Sequence, residues 1–343
     1  MRHITIAGRG SKLAMVQNEI VKGILENEGY EVSILTVSTK GDRDKKTAVT
    51  KLGGNGPFVR DVEQALLDGK ADVAVHCVKD LPYDGASGLV IAGILDEADP
   101  GDVLLMKKGM IGNLRLNGYV GSAEGGTENR LLQPVCSDSI RSKTEKRLLQ
   151  SDCFWSTSIN TENCAEKTCN EENIERKDLI IGTGSPRRKV QLMRLFPNIT
   201  CTDIRGNITT RMDKLRDGQY DGIVRARAGL DRIGAELSEF DVVSFAPHEM
   251  IPAVGQGLLA VQCREEDTEM RDLLFRLSPA RAYLRFMIER EVFCRYRLNC
   301  RDAVGVYADI DEALLKANIL LLAEPVSVSD NDDSADCESV GRN

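Results

Sequence analysis

The 343-residue sequence predicts an α/β protein with two α/β domains around a cleft and a third, smaller C-terminal unit. Strand and helix signals alternate through residues 1–103 and again from Leu179, the rhythm of βαβ units and a mainly parallel sheet. Short apolar, β-branched runs also lead directly into Gly-flanked loops that carry basic residues, as where buried strands deliver side chains to a site at their carboxyl ends. A chain of this length is sufficient for two or three domains, each with its own core.

In the first half, Ile4–Ala7 reads as a strand followed by Gly8-Arg9-Gly10-Ser11. Leu13, Val16, Ile20 and Ile24 then form a helical stripe with Ser11 as its N-cap. Val32–Val37 is the next strand. After Gly53-Gly54-Asn55-Gly56, the residues Phe58, Val62, Ala65 and Leu66 line a helix that ends at Gly69. Val73-Ala74-Val75-His76-Cys77-Val78 is a buried strand running into Lys79 and Asp80 and stopped by Pro82.

From about 107 to 176 periodicity fades, and the stretch reads as an exposed insertion with a short helix near Ser142–Leu149. Its Cys136, Cys153, Cys164 and Cys169 match no common metal-ligand spacing. Order returns with the strand Ile180–Gly182. Ser185 as N-cap and Pro186 at the first helical position then start a helix through Val190, Leu192, Met193 and Leu195. Cys201–Ile204, Arg205-Gly206-Asn207 and Ile208–Leu215 repeat the strand-loop-helix pattern, and Tyr220–Ala226 leads into Arg227-Ala228-Gly229-Leu230. A third unit starts at about Ser278, and the acidic tail from Asp330 reads as disordered.

Composition removes several function classes. A net charge of −8 argues against nucleic acid binding through a global basic field. Ten cysteines without a C-x-x-C pair, and only three histidines, argue against zinc and against a disulfide framework. No apolar run approaches the roughly 18 residues that crossing a bilayer requires. Met1–Ala7 enters a strand at once, leaving no room for a leader, so a cytoplasmic chain, or one already processed, is the expectation.

The basic residues are instead local. Arg187 and Arg188 follow Ser185, Arg205 precedes Asn207, Arg211 lies one turn further in, and Arg9 holds the equivalent place in the first half. Helix N-termini already favour anions, and guanidinium forks add bidentate carboxylate or phosphate binding. Arg225, Arg227 and Arg232 surround a further strand end. No phosphate loop or dinucleotide fingerprint is present, so a polycarboxylate fits better than a nucleotide. Asp80 stands as the lone acid among these cations, suited to stabilising a developing cation or shuttling a proton. These residues alone leave open whether the chain is an enzyme or a binding protein.

Taken in order, Ala7–Ala14, Lys51–Gly54, His76–Pro82, Gly182–Arg188, Ile204–Asn207, Ala228–Arg232 and Pro252–Gly257 resemble the porphobilinogen deaminase (hydroxymethylbilane synthase) family over nearly all of the chain outside the insertion and tail. The resemblance implies two periplasmic-binding-protein-like α/β domains, residues 1–103 with 252–273 and residues 104–248, plus a small α+β domain at 278–343. It implies a monomeric, cytoplasmic transferase that condenses four porphobilinogen molecules into hydroxymethylbilane with release of ammonia, engaging neither nucleic acid nor membrane. Its cofactor is a covalent dipyrromethane, and Cys300 stands in register for its attachment, with Cys294 as the spare.

The resemblance makes Asp80 the catalytic residue. Arg9, Ser11, Gln17, Lys51, Phe58 and Lys79 are its binding contacts in the first domain. Thr183, Ser185, Arg187, Arg188, Arg205, Gly206, Arg211 and Arg232 follow in the second, and Gln256 on the return. This chain departs from the family in several places. Leu298-Asn299 replace two glycines before Cys300, and Asn55 replaces a lysine. Arg225 and Arg227 stand where small or apolar residues are usual, so they either face the cleft or mark divergence. An acidic tail stands where a closing helix is expected.

Overall fold

The structure, a computed structural model, describes residues 3–39, 59–116, 178–296, 298, 302–311 and 316–323, all within one contact unit. The chain opens with β1 (His3–Arg9), α1 (Lys12–Asn27), β2 (Glu31–Val37), α2 (Arg60–Leu67), β3 (Val73–Cys77), a single 3-10 turn at Val78–Asp80, and β4 (Leu89–Glu97). It continues through β5 (Asp102–Lys107), β6 (Leu179–Gly182), α3 (Pro186–Leu195), β7 (Ile199–Thr202), α4 (Ile208–Arg216), β8 (Gly222–Ala226), α5 (Arg227–Arg232) and β9 (Phe240–Phe245). The last elements are β10 (Leu258–Arg264), α6 (Thr268–Leu277), α7 (Ala280–Arg295), β11 (Val304–Asp311) and β12 (Lys316–Ala323).

Two five-stranded sheets share one topology, in the orders β2-β1-β3-β10-β4 and β7-β6-β8-β5-β9. In each, the first three strands pair parallel and the last two pairings are antiparallel. Four strands of each sheet therefore run in one direction, as the βαβ rhythm predicts, and only the crossing strand runs against them. The cause is the route of the chain, which leaves the first sheet after β4 and returns after β9. The crossing strands β5 and β10 thus enter each sheet against the direction of the βαβ strands. A small antiparallel pair, β11 and β12, and the helix α7 complete the α+β C-terminal part.

Helix α1 starts where the sequence indicates, with Ser11 Oγ accepting from the Ala14 amide. Its buried face is offset from the predicted stripe and carries Gln17, Asn18, Val21 and Leu25, whereas Ile20 and Ile24 are only partly covered. Two polar side chains on the inward face displace the apolar periodicity. The core beneath joins Ile4, Ile6 and Val21 to Leu259, Val261 and Leu274, so the first sheet is completed by residues more than two hundred positions downstream. The second sheet has apolar cores on both faces, one around Leu104, Ile181, Leu192 and Val224, the other around Val103, Ile208, Leu215 and Ile223.

Of the stretch read as an insertion, Met110, Ile111, Leu114 and Leu116 pack against the first of those two cores. Residues 117–176 of it lie outside the described residues, as does the tail. Among the described residues no helix is long and apolar enough to cross a membrane, and none group as metal ligands.

Helix α7 clamps this frame. Glu289 accepts from the Gly255 amide at 2.6 Å and the Ala308 amide at 3.0 Å, and pairs with Arg285 at 2.8 Å. Arg285 also donates to the Gln256 carbonyl at 2.8 Å. Arg290 donates to the carbonyls of Pro82 and Tyr83, fixing the loop that follows Asp80.

Candidate active site

Two cavities meet at the end of β3. The larger, about 290 Å³, is lined by Arg9, Gln17, Lys79, Asp80, Arg188, Arg211 and Arg232 among the sequence candidates, and by Cys77 and Arg225. The smaller, about 180 Å³, shares Lys79, Asp80 and Arg188 and adds Ser185, Arg187 and Gln256. Its far wall is Arg290, Phe293, Asp302 and Val304 from the C-terminal part. The strand-to-turn transition at Cys77–Asp80 therefore places one lysine and one carboxylate on the boundary between two basic chambers.

The turn is held from beneath. Gly255 lies against Val78 with φ +65°, and a Cβ there would sit 2.0 Å from Val78 Cγ1. Only glycine combines that backbone with that approach. His76, one residue before Cys77, is buried and shares a hydrogen bond with Gln262 Oε1 at 3.1 Å, and Gln262 Nε2 donates to Glu63. Because that amide presents its oxygen to the ring, His76 is the donor. Burial lowers the His76 pKa to about 4. Gln17 donates to Cys77 Sγ at 2.9 Å, and burial, reinforced by the Asp80 charge, pushes the Cys77 thiol up.

The arginines divide into two groups. One group is committed to the frame. Asp102, fully buried at the head of β5, sits 2.7 Å from both Arg187 and Arg188. Despite its burial, the two guanidiniums hold its carboxyl at about 2. Gln256 donates to the same carboxylate at 3.0 Å and to the Pro100 carbonyl at 2.6 Å, and Arg187 donates to the Ile251 carbonyl at 2.6 Å. Arg232 bonds Asp96 Oδ2 and the Gly257 carbonyl, each at 2.6 Å. These contacts tie α3 and α5 to both chain crossings.

The other group faces the larger cavity. Arg211 donates to the Gly206 carbonyl at 2.7 Å; burial, with Arg188 and Arg205 nearby, lowers it to about 10. Burial, with Arg211 and Arg188 beside it, drives Arg225 well below the ordinary guanidinium value. Burial, then the charge of Arg188, lowers Lys79. A dense set of cations with one acid is an anion site with an acceptor for N–H groups or for developing positive charge.

The remaining candidates lie beside these cavities or outside the described residues. Ser11 and Asn207 act as N-caps, and Thr183 Oγ1 accepts from the Ser185 amide. Gly206 makes the turn into α4 with φ +111°, and Arg205 adds its charge next to Arg211. Lys51, Phe58 and Cys300 fall outside the described residues; Cys294 lies on α7 with Sγ 3.5 Å from the Tyr83 carbonyl. Arg227 turns away from the cavities and pairs with Asp231 at 2.9 Å on the surface. Asp102 is absent from the sequence candidates, although a lone acid opening the apolar run Val103-Leu104-Leu105-Met106 is a signal that it is paired.

The family model described as "Porphobilinogen deaminase, dipyromethane cofactor binding domain" matches residues 4–133 and 137–272. The chain belongs to the porphobilinogen deaminase family. A porphobilinogen deaminase of Exiguobacterium sibiricum is 35% identical over 92% of this chain and 83% of its own length. One from Geobacillus kaustophilus is 32% identical over 100% of this chain and 92% of its own. Among solved structures, an arginine-specific periplasmic binding protein of Salmonella typhimurium aligns with 81% of this chain and 92% of its own at 9% identity and a TM-score of 0.37. The dipyrromethane cofactor is a property of the porphobilinogen deaminase family, and the donor set of the cavities suits it. Cations are present for its carboxylates, and Asp80 can accept from its pyrrole N–H groups.

Proposed function

We propose that this chain is a working porphobilinogen deaminase, condensing four porphobilinogen molecules head to tail with loss of four ammonia molecules and releasing hydroxymethylbilane by hydrolysis with one water. The observation that carries the reading is the position of Lys79 and Asp80 on the shared edge of two basic cavities, one of which reaches the C-terminal part. Each substrate ring carries an acetate and a propionate, so its condensation needs cations for the side chains and an anion near the ring. When bound, the dipyrromethane supplies the pyrrole carbon to which the first substrate unit is added. Cys300 is the proposed attachment residue, two positions before Asp302, which lines the smaller cavity.

In this mechanism Asp80 accepts from ring N–H groups and stabilises the positive charge that develops as ammonia leaves. Lys79, Arg9 and Arg211 hold carboxylates in the larger cavity, with Lys51 and Phe58 as further proposed contacts. Arg188, oriented by Asp102, serves both chambers. Arg187, Arg232 and Gln256 hold the crossings in place. Residues 1–103 with 252–273, 104–248 and 278–343 are the proposed domains, and the protein works as a cytoplasmic monomer without nucleic acid or membrane partners.

The test is the intact mass of protein purified from cells that make porphobilinogen, together with its turnover. An added mass of two linked pyrrole units, lost in Cys300→Ser and kept in Cys294→Ser, supports the assignment. Asp80→Asn then lowers turnover by at least about 100-fold, the scale of one lost electrostatic contact to developing charge. Its melting temperature stays unchanged, because Asp80 is solvent-exposed. An unmodified mass with no turnover of porphobilinogen would overturn the reading in favour of a non-catalytic polycarboxylate binder.

A further inference from the structure

Arg225 is a cation of the larger cavity that the family resemblance does not account for, since a small or apolar residue is usual at that position. It occupies the penultimate position of β8, paired with Val103 of β5. Strand alternation puts it on the face that also carries Ile223, beneath α4, where Ile208 and Arg211 line the same cavity. An apolar side chain would have extended the core at this position. The chain instead spends a guanidinium there, and Arg225 Nε is buried without a hydrogen-bond partner among the described residues.

A buried N–H group without an acceptor is costly, and the surrounding charges make this one more so. Arg211 and Arg188 repel it. Asp102, which attracts it, is already held by Arg187 and Arg188 at 2.7 Å each. Asp80 is the other attracting carboxylate, at the opposite strand end. A negatively charged acceptor entering the cavity would satisfy Arg225 Nε and offset the repulsion from Arg211 and Arg188.

We propose that Arg225 is a substrate-binding residue of this chain, taking a side-chain carboxylate of the porphobilinogen ring in the larger cavity with Arg211. The proposal rests on the function proposed above. Planar guanidinium forks suit carboxylates, and two converging on one cavity can hold a ring by its side chain while its other edge meets Asp80. Arg225 then contributes to ground-state and transition-state binding alike, so its loss raises KM and leaves kcat nearly unchanged.

The experiment compares the holoenzyme with Arg225→Leu and Arg225→Lys. Arg225→Leu should raise KM for porphobilinogen by about 10- to 100-fold, the scale of a charge-assisted hydrogen bond, with kcat within about threefold. Arg225→Lys should recover part of that loss. Arg225→Leu should melt close to wild type, since it removes a buried Nε without a partner and extends the apolar face that carries Ile223, so a folding defect is distinguishable. Sulfate titrated against the melting temperature gives a reading that needs no turnover: the leucine variant should show a smaller stabilisation than wild type.

Unchanged KM together with unchanged sulfate stabilisation overturns the proposal. A fall in kcat at constant KM also overturns it, because Arg225 would then act through Asp80 rather than on a carboxylate. A wild-type protein that does not turn over porphobilinogen defeats the functional reading alone, and the sulfate comparison still decides whether Arg225 holds an anion.

Discussion

Replacing Asp102 by asparagine tests how the two α/β halves are held around the cleft. The carboxylate is fully buried and lies 2.7 Å from Arg187 and from Arg188, whose side chains are themselves 4% and 10% exposed. Asp102→Asn keeps the shape but leaves two buried guanidiniums facing a neutral amide. Breaking a buried pair from one side costs about 3–5 kcal/mol. The titration of the carboxyl gives a second measure. Held at about 2 against 3.8 in the unfolded chain, it stabilises the folded state by about 2–3 kcal/mol. Because the folded value is depressed, that contribution is complete above 3.8 and is lost as the pH falls from there towards about 2.

At neutral pH, therefore, Asp102→Asn should cost about 3 kcal/mol and lower the melting temperature by about 4 °C. Urea denaturation of wild type, Asp102→Asn, Arg187→Met and the double variant measures it. The double variant should lose less than the sum of the single losses, since removing one guanidinium relieves the unpaired charge. A loss below about 0.5 kcal/mol, of the size of an ordinary surface change, or strict additivity would refute the pairing as the element that fixes the crossing.

Two further outcomes follow from residues beneath the Lys79–Asp80 turn. His76 titrates at about 4 in the folded chain against 6.5 in the unfolded one, so the unfolded chain binds more protons between those values. Stability should fall by about 3 kcal/mol as the pH drops through that window. His76→Gln should lack this component when denaturant midpoints are compared from neutral pH to pH 4; equal acid sensitivity in both proteins would contradict it. Gly255→Ala places a methyl group 2.0 Å from Val78 Cγ1 on a backbone at φ +65°. It should cost at least about 1–3 kcal/mol and displace the Lys79–Asp80 turn, seen as a fall in kcat at saturating porphobilinogen; full activity would show that the turn does not depend on this contact.

The strand-end loops were legible in the sequence because their signals are local. Ser11, Ser185 and Asn207 each cap the helix that follows, and β3 runs into Lys79 and Asp80 without interruption. Periodicity did not show the inward turn of Gln17 and Asn18 on α1, because it assigns polar residues to the surface; only the family resemblance pointed Gln17 towards the site. In the fold, Asn18 fills the space that the missing Cβ of Gly8 leaves, and Gln17 reaches Cys77. The mixed sheets were hidden for a different reason: β10 completes the first sheet only after the chain has built the second, and no local pattern records that return. Asp102 and Arg188 are 86 positions apart, so their pairing needed the fold before it could be read.

The shared topology of the two sheets explains how an acid and its surrounding cations come to face one another. In both sheets the third strand of the βαβ run, β3 or β8, sits beside the antiparallel crossing strand. The carboxyl ends of these two strands therefore occupy equivalent places, and both reach the larger cavity. At one end the sequence puts Lys79 and Asp80, at the other Arg225. Two halves of like architecture thus make an asymmetric site, with the acid on one side only. Asp96 and Asp102 do not disturb that asymmetry, because both are bound to arginines of the frame. Under the proposed roles, an anionic ring drawn in by Arg211 and Arg225 meets Asp80 as the carboxylate of that cavity, an arrangement that would hold the ring by its side chains and stabilise positive charge on its nitrogen edge.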